Sequence, residues 1–250
     1  MTLILTTGRS GNFVAMSGDK RRVTHSYLYD LKTGEYEKID DKPIIDEVPV
    51  NNKVVKLSNY ALMGLGGTAS LGEYLRDTML KLVEEDDDLG ECAKKLKKII
   101  TGARNELRQE IFFPFLNQEN GVMVTISGFY SDNSTGVVSF VSGTDTLVNE
   151  NKVPKGSSYW TLIPPIKKYL EMGSVLININ ELDPRLFEMN IEKPPNRNEV
   201  WKTIHAEQMI WFHSLVAENQ PTEVSKDGFL HSLVLDSDGI IQYSVEEFVT

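Results

Sequence analysis

Residues 51–70, NNKVVKLSNYALMGLGGTAS, constrain the fold more than any other stretch of the chain. Their pattern predicts a short strand from Lys53 to Leu57, a turn at Ser58-Asn59 and a second apolar strand from Tyr60 to Leu65. Ser-Asn fits a hairpin because Asn tolerates the left-handed dihedrals that a tight turn needs. Gly66 and Gly67 are then expected to open a helix. Paired glycines let a backbone come close to another group, and the first turn of a helix carries unpaired N–H groups. Such a helix start suits an anion or an oxyanion. Lys53 is expected on the strand that faces the same end.

The flanking segments supply more strands and helices. TLILT and NFVAM around Gly8-Arg9-Ser10-Gly11 carry a hairpin signature, and Gly18 to Arg22 reads as a charged, turn-like loop. A further hairpin, SYLYD and EYEKI, is expected between Val23 and Val50. It ends in DDKPIIDEVPV, whose prolines and acid read as a surface connector. Leu71, Leu75, Met79 and Leu82 mark the buried face of one helix; Leu96, Ile99, Ile100, Ala103, Leu107 and Ile111 mark that of a second. The acid run Glu84 to Asp88 between them reads as a solvated loop. Residues 121–141 return to strands around Asp132-Asn133-Ser134-Thr135-Gly136. The segment from Pro154 to Met172 begins with Lys155-Gly156-Ser157-Ser158 and is expected to continue as a short helix, with SVLININ a candidate strand beyond it. A helix from Asn196 to Ala217 and a last hairpin around Asp238-Gly239 complete the order. Pattern alone gives an α+β chain.

Composition narrows the function classes. A net charge of −10 argues against nucleic acid as a partner. No apolar run approaches the ~20 residues of a membrane span, and the N-terminus lacks the basic region of a signal peptide. The single cysteine, Cys92, suits a reducing compartment, so a cytoplasmic protein is expected. Cys92 falls on a predicted helix and reads as a packed thiol rather than a nucleophile. His25, His205, His213 and His231 are dispersed; His205 and His213 are two helical turns apart rather than one, which does not suit a metal pair. Neither metal nor cofactor is expected. No P-loop, Rossmann glycine pattern or CxxC pair occurs, and nothing in the sequence selects a Ser-His-Asp triad.

The stretch around Lys53 resembles the equivalent segment of proteasome β-subunits and their bacterial relatives, the N-terminal-nucleophile (Ntn) hydrolases of the threonine-peptidase type. In that family a lysine precedes an apolar strand that ends in a small-Gly pair and a helix. Lys53 and Gly67 stand at the family's spacing of fourteen residues. The resemblance runs as short islands along most of the chain. It implies an α+β fold, the four-layer αββα sandwich, as a single domain over residues 1–250 with an inserted hairpin at 23–50. That insert is either a flap beside the cleft or a plain surface elaboration.

The resemblance also implies a mechanism. Removal of Met1 exposes Thr2, whose hydroxyl attacks an amide carbonyl while its own α-amine takes the proton. An α-amine titrates near ~7.7–8.0, and a neighbouring ammonium lowers it further. Lys53 matches that ammonium, and Asp19 the carboxylate that holds it, although the interval from Thr2 to Asp19 is slightly longer than the family's. Gly67 matches the oxyanion donor and Ser157 the serine that hydrogen-bonds near the terminus. Glu223 and Ser225 are the nearest matches to the family's last polar pair. Its substrate-pocket positions fall on Asn51, Val55, Leu65 and Ala69, a small and largely apolar wall. The partners implied are a peptide or protein substrate, further copies in a homo-oligomeric ring and a regulatory ATPase, with neither nucleic acid nor membrane. A non-catalytic, proteasome-like scaffold subunit and a single-subunit amidase are the alternatives.

Overall fold

The first hairpin sets the architecture. β1 (Ile4–Arg9) and β2 (Phe13–Asp19) pair antiparallel, with Ile4 opposite Gly18 and Arg9 opposite Phe13. Gly11, at φ 83°, takes the left-handed position of the turn that an L side chain disfavours. Both strands are covered on both faces, which is why they read as continuous apolar runs rather than as an alternation. The computed structural model describes residues 3–24, 27–29, 36–38, 44–50, 52–67, 69–106, 122–142, 148–163 and 197–250.

Two five-stranded antiparallel sheets follow from this hairpin. In the first, the order is β12 (Ser158–Ile163), β1, β2, β13 (Gly228–Leu235) and β14 (Ile241–Phe248). In the second, it is β11 (Asn149–Val153), β10 (Thr135–Val141), β9 (Val122–Phe129), β8 (Ala61–Gly67) and β7 (Val54–Lys56). Ile4, Val14 and Met16 of the first sheet pack against Val54, Leu62 and Phe129 of the second. Gly64 permits this approach, since a Cβ there would stand 2.8 Å from both Ile4 Cγ2 and Met16 Sδ. Two further pairs, β3 (Arg21–Thr24) with β6 (Ile44–Glu47) and β4 (Tyr27–Tyr29) with β5 (Tyr36–Lys38), lie between β2 and β7 in the chain.

Among the described residues three helices occur. α1 (Ala69–Leu82) and α2 (Leu89–Glu106) bury Leu71, Leu75, Met79, Leu96 and Ile100 against Val55, Met63 and Leu65 of the second sheet. α3 (Arg197–Asn219) buries Met209, Phe212 and Val216 against Leu3, Leu5, Phe13 and Ala15. Each such fully buried side chain contributes about 1.5–3 kcal/mol of transfer free energy. The helical periodicity holds at Leu71, Leu75 and Met79, whereas Leu82 is exposed. Leu107, Ile111 and the SVLININ segment lie outside the described residues, as does the side chain of Ala103.

The fold class requires correction. The described structure is mostly antiparallel sheet, with 43% strand against 29% helix, and is a β-rich fold rather than the expected αββα sandwich. Two segments move the balance. Ser158–Ile163, expected to lead into a helix, is a strand paired along the whole of β1. Its sequence SYWTLI carries the aromatic and β-branched residues that fit a pleated surface. Arg21 and Arg22, expected in a charged loop, and Ile44–Glu47, expected within a connector, lie on strands that pair with each other.

Candidate functional site

Gly18 brings the two sheets together at one end. A Cβ at Gly18 would lie 3.2 Å from Val54 Cγ2 and 3.3 Å from Lys53 Cβ, so its absence seats the start of β7 against β2. Lys53, in the turn just before β7, reaches across to Asp19, the last residue of β2. Its ammonium donates to Asp19 Oδ1 at 2.8 Å and to the Arg21 carbonyl. The same Oδ1 accepts the Leu3 amide at 3.0 Å, and Oδ2 accepts the Arg21 amide at 3.1 Å. Asp19 is 1% exposed and Lys53 7%. Such a pair persists only because the remaining lone pairs and protons also find partners. Burial holds the Lys53 ammonium below its ordinary pKa; the attraction of Asp19 opposes this without cancelling it, and Arg21 adds to the lowering.

The residues leading into Lys53 form a strap over the pair. The Val48 amide donates to the Lys20 carbonyl at 2.8 Å. Behind it lies a pocket of about 10 Å³ bounded by Asp19, Lys53, Val48, Pro49, Val50 and His231. That space holds roughly one water molecule and no peptide side chain. His231 fixes the strap from below. A carbonyl only accepts, so His231 Nε2 donates to Val50 O at 3.3 Å and Nδ1 accepts the Tyr243 hydroxyl at 2.9 Å. Burial pushes the His231 pKa down to about 4.

A turn after α3 braces β2 at the same end. Ser225 Oγ accepts the Lys20 amide at 3.0 Å and donates to Asp227 O at 2.7 Å, while Lys20 N also donates to Asp227 O at 3.2 Å. His213 of α3 holds the Ser225 carbonyl through Nε2 at 2.8 Å. Ser225, one of the two weak sequence matches, therefore does join the site; Glu223 lies in the turn that closes α3.

The structure places the other expected site residues unevenly. Thr2 and Asn51 lie outside the described residues. Gly67 ends β8 at φ 93° and is exposed. The helix starts at Ala69, two residues later than the glycine pair suggested, because Gly66 and Gly67 still pair with Met123 and Val122. The Leu65 amide donates to Lys53 O at 2.9 Å. Amides two residues apart on a strand point the same way, so the Gly67 N–H faces the side from which Lys53 enters. Val55 and Leu65, expected in a pocket wall, are 3% and 7% exposed and pack with Leu71 and Leu75 in the core beneath α1. Ala69 is the first residue of that helix.

Ser157 is at the wrong end. Its carbonyl accepts the Ser10 amide at 2.9 Å, beyond the Arg9 end of β1, whereas Leu3 lies at the opposite end. Seven residues of strand separate Leu3 from Ser10, roughly 23 Å at the usual rise. The reason is the strand identity of Ser158–Ile163: running antiparallel to β1, it carries Ser157 away from Asp19 and Lys53.

Sequence reasoning missed Gly18, taken as part of a turn, and His213, hidden in the apolar run of α3. Elsewhere, Cys92 is fully buried and its thiol pKa is pushed up to about 12, chiefly by burial. His205 packs its ring parallel to Trp160 at 5.2 Å and lies 2.6 Å from Thr7 Oγ1, far from His213's partners. Among the described residues no group of three or more His, Cys, Asp or Glu is gathered for a metal ion, and no helix is long and apolar enough to cross a membrane. No protein-family model matches the chain, and no curated protein matches it.

Proposed function

We propose that the protein is an Ntn amidohydrolase of the proteasome β-like type, which hydrolyses peptide bonds with Thr2 after removal of Met1. One observation carries this reading: a single buried oxygen, Asp19 Oδ1, holds both the Lys53 ammonium and the amide of Leu3, the residue next to Thr2 in the chain. A lysine fixed beside the peptide that joins Thr2 to Leu3, the first of the chain once Met1 is removed, is where an α-amine base needs a neighbouring cation. In the proposed reaction the Thr2 hydroxyl oxygen bonds to the substrate carbonyl carbon and its proton passes to the α-amine. The C–N bond breaks, the leaving amine takes that proton, and water then hydrolyses the Thr2 ester. The Gly67 amide, facing the Lys53 side of the sheet, is the candidate donor to the oxyanion, a contribution of ~3–4 kcal/mol where such donors act.

A peptide or protein substrate, a cytoplasmic setting, a homo-oligomeric ring and a regulatory ATPase belong to the same proposal. One observation favours a second reading, a non-catalytic scaffold: the strap from Val48 to Val50 leaves only about 10 Å³ behind Lys53. Intact mass of the purified protein, with and without a peptide epoxyketone, separates the two. Loss of Met1 with one adduct that disappears in Thr2→Ala supports the hydrolase. Retained Met1, or no adduct, rejects it.

A further inference from the structure

His213 is fully buried on α3, on the side of the first sheet that carries Leu3 and Leu5, with its ring edge-on to Phe248 at 4.9 Å. Because Nε2 donates to the Ser225 carbonyl, the hydrogen of the neutral ring is committed there and Nδ1 is left as an acceptor. Nδ1 has no hydrogen-bond partner among the described residues. A buried acceptor without a donor is destabilising, so its retention needs a reason beyond packing. Ser17 Oγ is in the same condition, on the face of β2 that also carries Asp19.

The connections from His213 lead to the candidate site in three steps. Its Nε2–H fixes the Ser225 carbonyl, Ser225 Oγ and Asp227 O fix the Lys20 amide, and Lys20 follows Asp19 directly. The charged groups that face the ring are Asp19 on β2, Lys53 before β7 and Asp227 on the adjoining turn. Burial lowers the His213 pKa more than the two carboxylates raise it, and Lys53 lowers it further, so the ring stays neutral and keeps its donor on Ser225.

We propose that His213 is a positioning residue of the Thr2 site, which pins the Ser225–Asp227 turn and thereby the direction of the Asp19 carboxylate. This rests on the Ntn reading above, and the test separates the two. His213→Phe keeps the ring and removes the donor, whereas His213→Gln places an amide N–H where Nε2 stood. Two readouts are taken on the full chain: turnover of a fluorogenic peptide, and hydrogen exchange of the Leu3, Lys20 and Arg21 amides, which needs no activity. In His213→Phe, kcat is expected to fall about tenfold with KM within about twofold, and the three amides to exchange about tenfold faster. His213→Gln is expected to recover most of both. Unchanged exchange and kcat in His213→Phe overturns the proposal, as does an equal loss in Phe and Gln variants. If the wild type neither turns over peptide nor takes the epoxyketone, the Ntn reading fails, and with it the positioning role at a Thr2 site; protection restored by Gln would then show only a brace on β2.

Discussion

Lys53 Nζ and Asp19 Oδ1 lie 2.8 Å apart with side chains 8% and 0% exposed; Asp19 ends β2 of the first sheet, and Lys53 directly precedes β7 of the second. The pair is therefore both a chemical group and a rivet. Removing one partner leaves the other charged, buried and alone. Lys53→Met is expected to cost about 3–5 kcal/mol in urea unfolding. Adding Asp19→Asn to the same chain should restore at least half of that, since no unpaired charge remains. Equal stability of the single and double variants would show that the pair does not couple.

Gly18→Ala tests the spacing that admits Lys53. The added Cβ meets Ile4 Cδ1, Val54 Cγ2 and Lys53 Cβ at 3.2–3.3 Å, so these neighbours must yield by a few tenths of an ångström. A stability loss at the lower end of the about 1–3 kcal/mol of overpacking is expected. Epoxyketone capture at Thr2 should slow about tenfold, because a displaced ammonium changes the base more than it changes the core. A capture rate equal to wild type would dissociate Gly18 from the site.

His231 makes stability depend on pH. In the folded chain its pKa is about 4 because burial disfavours the imidazolium, against 6.5 when free. The unfolded chain thus takes up the proton first, and folding stability falls as pH drops from 6.5 towards 4. The full loss attributable to this ring is about 3 kcal/mol. His231→Phe, which cannot titrate, should flatten denaturant-derived stability across that interval. A variant that loses stability with acid as steeply as wild type would remove His231 from the explanation.

Cys92 should be silent in the native protein. Its thiol is buried and holds its proton up to about pH 12, and only the thiolate reacts. Iodoacetamide at pH 8 is expected to modify it only at the rate of unfolding, so labelling should accelerate in step with urea. Rapid native labelling would contradict the packing around α2.

The hairpins were legible because their turns carry the residue types that turns demand. Asn133, at φ 61°, and Gly239, at φ 79°, adopt the left-handed dihedrals that their sequence positions suggested. Asp19 and Lys53 were legible only through family resemblance: thirty-four residues apart, neither has a local pattern that points to the other. Glycine before aspartate predicts a turn because it usually breaks a strand, whereas Gly18 is a strand interior cleared for a crossing side chain. Ile44–Glu47 was missed because an exposed strand paired on one side only has no buried face to imprint an alternation. Ser157 was misplaced because tracking a motif along the sequence ignores which way the strand after it runs. His213 left no signal at all, since a histidine among Trp211, Phe212 and Leu215 reads as core.

The pairing of β3 with β6 sets Arg21 opposite Glu47 and Thr24 opposite Ile44, a few residues from Asp19 on one side and Lys53 on the other. The ends of the intervening chain are thus clamped together independently of what it contains. Doubling the length of a closed loop adds only about 0.6 kcal/mol of closure entropy. The chain between Thr24 and Ile44 can therefore change in length at little cost in closure entropy, while the lysine and the aspartate stay in register.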